Sequence, residues 1–203
     1  MASVIVAFVP GSSPITADHF LNRWAAWAAP ARPESRGYQK VKTMDKFIHC
    51  ELLFPDTIAS IQSDHAPPEM RGTGVGIVAG GEVFRHNKRY SRDGYIFKSV
   101  SMTQTQYDKM KAFCDDCVGC KFNHLGYASF FMPFRISGKL FSNAGCGRPH
   151  FFCSELCMSA FKAAGLFPPE TPTVIHPDNF FTMIDDIGVV HSHPCHQHTK
   201  LQL

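Results

Sequence analysis

Concentrated positive charge is missing from this chain of 203 residues: 20 Lys and Arg against 17 Asp and Glu leave a net charge of 20 − 17 = +3, and the basic residues are scattered. No stripe of the kind that tracks a phosphate backbone is built, so no nucleic-acid partner is expected. A basic leader is also missing, since Met1-Ala2-Ser3 carries no Lys or Arg. The apolar run 4–9 stops at Pro10-Gly11, too short for a signal-peptide core or a membrane span. The expectation is a protein of the cytoplasm, a reducing compartment, with no integral membrane segment. Internal repeats are absent, and the glycine-rich stretch 72–81 lacks the Gly-Lys-Ser/Thr ending of a phosphate loop, so it reads as a hairpin turn.

The residues that are present describe a globular chain. Hydrophobic residues make up 44% and charged residues 18%, which excludes a disordered or collagen-like protein and makes one domain the default. The 8 Cys and 11 His are the feature to explain. In a reducing compartment thiols stay reduced, which leaves metal binding, catalysis or core packing.

The run 4–9 reads as a buried strand closed by a turn, and residues 16–29 as a helix with Phe20, Leu21, Trp24 and Trp27 at helical spacing. Residues 47–54 form a second strand, followed by a turn at 55–57 and an extended run at 58–63, together a hairpin. Extended segments at 75–79, 83–89 and 95–101 complete a small, mainly antiparallel sheet. Helices are predicted over 103–117, ended by Gly119, and over 152–164, ended by Gly165 and Pro168-Pro169. Pro177-Asp178 opens a last turn at 179–184. Residues 1–188 are read as one α+β domain, and 189–203 as a polar, His-rich, disordered tail.

Cys153 stands where the apolar Phe151-Phe152 turns into a helix. A thiol there faces the positive end of the helix dipole, which favours thiolate and raises nucleophilicity. A cysteine nucleophile also needs a base, ordinarily a histidine oriented by a carboxylate or amide. His49 and Glu51 supply that half, because alternation along a strand puts them on one face and Cys50 on the other. Strand residues two apart are about 6.6 Å from one another, so the two side chains must lean together to touch. If the hairpin instead sets Leu53 opposite Ile58, Gln62 falls opposite His49 and could orient it. The backbone N–H of Cys153 is one oxyanion donor; sequence locates no second. Glu155, two residues into the helix, is read as support for its N-terminus.

These residues carry a family resemblance. A strand and helix, then His-x-Glu-Leu at 49–52, then Phe-Cys-Ser-Glu-Leu at 152–156 followed by Ala-Gly-Leu and a proline turn, resembles the circularly permuted NlpC-like (YiiX-type) branch of the papain-like cysteine hydrolases. That branch includes bacterial and large-DNA-virus proteins and is related to the lecithin–retinol acyltransferase group. In ordinary members the Cys precedes the His, whereas here His49 comes 153 − 49 = 104 positions before Cys153. Phe122-Asn123-His124-Leu125-Gly126 is similar to the family's Phe/Tyr-Asn-x-x-Gly segment. The resemblance implies a permuted papain-like fold, a small antiparallel sheet or barrel packed on the helix of the nucleophile. It also implies hydrolysis of an amide, isopeptide or ester bond by Cys153 with His49 as base, with no cofactor. A lipid acyltransferase or phospholipase shares the same acyl-enzyme.

The competing reading is a non-catalytic protein of the same fold, stabilised by zinc. Cys114, Cys117, Cys120 and His124 have spacing a tetrahedral site can use, and the tail adds His191, His193, Cys195, His196 and His198. Cys114 and Cys117 also fit the apolar side of a helix, as ordinary core thiols. Cys50, Cys146 and Cys157 are read as packing residues, and a Cys153–Cys157 disulfide within one helix has poor geometry.

Overall fold

The computed structural model describes residues 1–14, 46–55, 69–91, 93–128, 149–187 and 190–192. Its architecture is α+β. The strands β1 (Ala2–Pro10), β2 (Phe47–Pro55), β3 (Glu69–Gly76), β4 (Phe84–Ser91), β5 (Ile96–Met102) and β6 (Val190–Ser192) form one open sheet in the order β4-β3-β2-β1-β5-β6. Every neighbouring pair is antiparallel. The helix expected at 16–29 and the extended run at 58–63 lie outside the described residues. So do Cys146 and the tail beyond residue 192.

β1 is central because its sequence lets it be buried on both faces. Val4, Val6 and Phe8 join the main core, while Ile5, Ala7 and Val9 join a second cluster with Leu53, Met70, Tyr90, Tyr95 and Phe97. A continuous β-branched run is what such a strand requires. The main core lies between the sheet and the helices α1 (Gln104–Cys117), α2 (His124–Ala128), α3 (Cys153–Ala163) and α4 (Pro177–Ile184). No helix among the described residues is long and apolar enough to cross a membrane.

The helix boundaries follow local chemistry. Thr103 caps α1 by accepting from the Gln106 N–H at 3.2 Å, and the Gln106 side chain accepts from the Thr103 N–H at 3.0 Å. Gly119 and Gly165 adopt φ of 81° and 73° just past α1 and α3, the left-handed stop that favours glycine. α4 is tied to the start of β2, because Asp178 Oδ1 accepts from the Phe47 N–H at 2.8 Å and Phe181 packs on Phe47 with ring centroids 4.5 Å apart.

Three expectations change. The glycine-rich stretch is a strand through Gly76, with the turn confined to residues 79–81. Leu53 pairs with Ile5 on one side and Gly74 on the other, so both its edges are filled and it cannot also face Ile58. The polar tail is ordered at its start, where Val190–Ser192 add a strand to β5. Hydrogen bonding to the edge of β5 recruits a segment whose composition alone suggested disorder.

Candidate active site

α3 presents Cys153 at its first position, and the start of that helix is fixed from three sides. The Glu155 carboxylate reaches back to the Phe152 N–H at 3.4 Å and accepts from Asn123 Nδ2 at 3.0 Å. Asn123 Oδ1 in turn accepts from the Gly126 N–H at 2.9 Å, which gives the Phe-Asn-x-x-Gly segment a clear task as a clamp on the helix start. Ser154 Oγ donates to the Ile175 carbonyl at 2.5 Å. The sequence reading of Glu155 as support for the helix start holds.

Glu155 is fully buried, and among the described residues its Oε1 has no hydrogen-bond partner. Burial pushes its pKa up to about 7, against the opposing pull of Asn123 and the Phe152 N–H. A carboxyl whose pKa is raised on folding contributes stability at low pH that fades as pH rises towards the folded value. The unfolding temperature is therefore expected to fall between the ordinary carboxylate range and about pH 7, and Glu155→Gln should remove that slope while keeping the cap. Thermal unfolding across this range checks it; a slope unchanged in the variant would assign the effect elsewhere.

Cys153 meets β2 where β3 has left it. The described β2–β3 ladder ends at the Leu52–Val75 pair, and beside it the Cys153 sulfur accepts from the backbone N–H of Cys50, the Cys50 thiol and His49. Hydrogen bonding from the Cys50 thiol leads the influences that hold the Cys153 pKa well below the ordinary thiol range; burial opposes it, and His49 and the Cys50 N–H add to it. Cys50, expected to be packing only, is thus part of the site.

His49 is paired on both sides. Its Nε2 lies 3.0 Å from Glu51 Oε1, which leaves Nδ1 as the ring nitrogen for Cys153. Burial alone would depress the imidazole pKa, but the Cys153 and Glu51 anions together raise it to about 10. The two shifts run in the directions that favour a thiolate beside an imidazolium. Its side chain is 18% exposed and that of Glu51 3%, so water reaches the histidine but hardly the carboxylate.

Two further residues, absent from the sequence reading, hold Glu51. Lys88 Nζ donates to both carboxylate oxygens at 2.9 and 2.8 Å, and Tyr90 Oη donates to Oε2 at 2.7 Å. Burial would raise the Glu51 pKa, yet His49 and Lys88 bring it down to about 2. Burial and the neighbouring carboxylate push the Tyr90 phenol up, so it stays a donor. β2 and β4 are separated by β3, about 9.6 Å for two strand spacings, and the reach is possible because β3 is nearly bare there. A Cβ on Gly76 would come within 2.8 Å of Glu51 Cγ, and one on Gly74 within 2.1 Å of Tyr90 Oη.

Gly76→Ala is accordingly expected to displace Glu51 from His49. Overpacking of this kind costs about 1–3 kcal/mol, and the alkylation rate of Cys153 should fall several-fold in a protein that still unfolds cooperatively. Unfolding curves and thiol-labelling kinetics on the same preparation separate the two effects; an unaltered labelling rate would show that Glu51 tolerates the methyl group.

The zinc set does not assemble. Cys114 and Cys117 are buried in the core from α1, His124 is exposed with its ring edge-on to Phe122, and among the described residues no three His, Cys, Asp or Glu side chains converge as a metal site. Helical spacing directs the two α1 thiols into the core.

No family model matches the chain, and neither a curated protein nor a solved structure does.

Proposed function

We propose that this protein is a cysteine hydrolase of the permuted papain-like, NlpC-like type, cleaving an amide, isopeptide or ester bond through an acyl-enzyme on Cys153. The observation that carries the reading is one continuous chain of contacts: a low-pKa thiol at a helix start, an imidazole beside it, and behind that a buried carboxylate held by Lys88 and Tyr90. In this reading the Cys153 thiolate attacks the carbonyl carbon and the developing oxyanion is met by the N–H of Cys153 at the start of α3. His49 gives its proton to the leaving group. It then takes one from the water that attacks the thioester, returning the site to the ion pair.

Glu51 touches neither thiol nor substrate in this scheme. It orients the imidazole and neutralises its charge, while Lys88 and Tyr90 occupy the remaining carboxylate lone pairs so that Glu51 does not take up the proton itself. The His-before-Cys order along one sheet and helix supports the permuted arrangement.

A thiol-directed electrophile at substoichiometric dose tests the reading first. Cys153 should be alkylated ahead of the other seven cysteines, as read by peptide mass spectrometry; even labelling over several of them would refute it. Peptide, isopeptide and lipid-ester substrates should then be turned over by the native chain and not by Cys153→Ala, the class that responds deciding between peptidase and acyltransferase-like chemistry.

A further inference from the structure

Three thiols meet across the β2–α3 contact, and the hydrolytic scheme uses one of them. Cys50 points from β2 towards α3, and its Sγ lies 3.7 Å from that of Cys157. Cys153 and Cys157 are one helical turn apart on the face of α3 that packs on β2, and Cys50 sits against both. All three are free and buried. Along one helix the Cβ atoms of Cys153 and Cys157 are about 5–6 Å apart, beyond the 3.5–4.5 Å that a disulfide spans. Between β2 and α3 no such limit applies, because the side chains come from opposite sides: the Cys50 sulfur lies 3.7 Å from that of Cys157 across this seam and has Cys153 as its other thiol partner.

We propose that Cys50 is a resolving thiol for Cys153, which makes the pair a reversible oxidation site for hydrogen peroxide or another small hydroperoxide. The inference rests on Cys153 as the reactive thiolate of the proposed enzyme, though on no particular substrate. In the first step the Cys153 thiolate attacks one peroxide oxygen, the O–O bond breaks, and a sulfenic acid and hydroxide result. In the second, the Cys50 sulfur attacks the sulfenic sulfur, an S–S bond forms, the S–O bond breaks, and the departing hydroxide leaves as water with the Cys50 proton. The two thiols lose two electrons and the peroxide gains them. A dithiol reverses the bond by exchange and restores the nucleophile.

The arrangement suits that sequence because the resolving thiol is already in contact. A sulfenic acid at Cys153 is formed within reach of Cys50, so closure competes with a second peroxide, which would carry Cys153 on to sulfinic acid without return. Cys50 supplies no proton transfer to substrate in the hydrolytic scheme, so this second task explains why a thiol is useful there.

The test exposes the full-length protein to a modest excess of hydrogen peroxide, then blocks free thiols and maps linkages by tandem mass spectrometry. Native protein and Cys157→Ala should both give a Cys50–Cys153 disulfide that dithiothreitol removes, with Cys153 alkylation recovered in full. Cys50→Ala should instead accumulate sulfinic acid at Cys153, with recovery falling at least tenfold. Should that variant fold poorly, the native linkage map decides alone. A Cys50–Cys157 disulfide with Cys153 left reduced, or over-oxidation of Cys153 in native protein as fast as in Cys50→Ala, overturns the inference. If iodoacetamide labels Cys153 selectively and peroxide yields no linkage, only this inference fails. Indifference of Cys153 to both reagents fails the hydrolase reading as well.

Discussion

His49→Ala is expected to slow alkylation of Cys153 at neutral pH by about a hundredfold, because it removes a cation that, together with the hydrogen bonds from Cys50, holds the thiol pKa down. In the native protein the thiol pKa is held well below its ordinary range, so the labelling rate should vary less with pH than that of an ordinary thiol. In the variant it should climb as the pH rises, since burial without the imidazolium drives the thiol pKa upward. The proposed hydrolysis would have a second limit. The imidazolium must donate a proton to the leaving group, and its pKa stands near 10, so turnover should decline as pH approaches that value. Acid and alkaline limbs belong to the coupled pair, not to either residue alone. A native labelling profile that rises like that of an ordinary thiol would show that the ion pair does not form. The hydrogen bonds from Cys50 and the helix dipole would then be the activating influences left at Cys153.

Glu51→Gln is the second large effect, and it acts on stability and chemistry together. The amide keeps the shape but removes the negative charge between two cations, His49 and Lys88, in a site where the carboxylate is 3% exposed. Breaking one partner of such a pair costs about 2–4 kcal/mol, because the remaining charge stays partly desolvated. The imidazole also loses its counter-charge, so its pKa falls and the fraction of ion pair falls with it. Turnover should drop by about a hundredfold or more, with the alkaline limb of the pH profile moving to lower pH. Lys88→Met in the same background is expected to recover part of the lost stability, since it removes the stranded ammonium, while leaving turnover low. Equal turnover in Glu51→Gln and the native chain would remove Glu51 from the mechanism. Chemical denaturation and a pH–rate series on the two variants are sufficient.

The second prediction concerns a carboxylate whose place beside His49 was only half legible from sequence. Alternation along β2 places Glu51 beside His49, but not the lean of the two side chains to 3.0 Å. The alternative, Gln62 through a hairpin at 55–57, followed reasonably from the turn residues. It fails as a register because β1 and β3 already hold both edges of Leu53. Lys88 and Tyr90 gave no signal at all: the first lies in the extended segment expected at 83–89 and the second just past it. Their contact with Glu51 arises across an intervening strand, and the glycines that permit it read locally as a turn.

Cys50 packs in the core as expected, and its place beside Cys153 was hidden for a related reason. Strand alternation places it on the helix-facing side, and a small buried thiol there is most simply core. That it touches the Cys153 sulfur depends on where β3 parts from β2 and on how α3 is docked, and neither is a local property. Asn123 and Glu155 show the opposite case, in which a short motif and a helix-start position pointed to the right residues, and only their partners had to be found.

Local physics therefore determined the elements: the doubly buried β1 from its unbroken apolar run, α1 and α3 from spacing and glycine stops, and the thiol at a helix start with a histidine and glutamate on one strand face. The tertiary structure decided what those residues do to one another. Pairing order, strand departure and the bare face of β3 bring Lys88, Tyr90 and Cys50 to the His49–Cys153 pair. The reason is physical: periodicity reports which face a side chain occupies, whereas contact across a sheet depends on register and docking, which are settled by burial and hydrogen bonding over the whole fold.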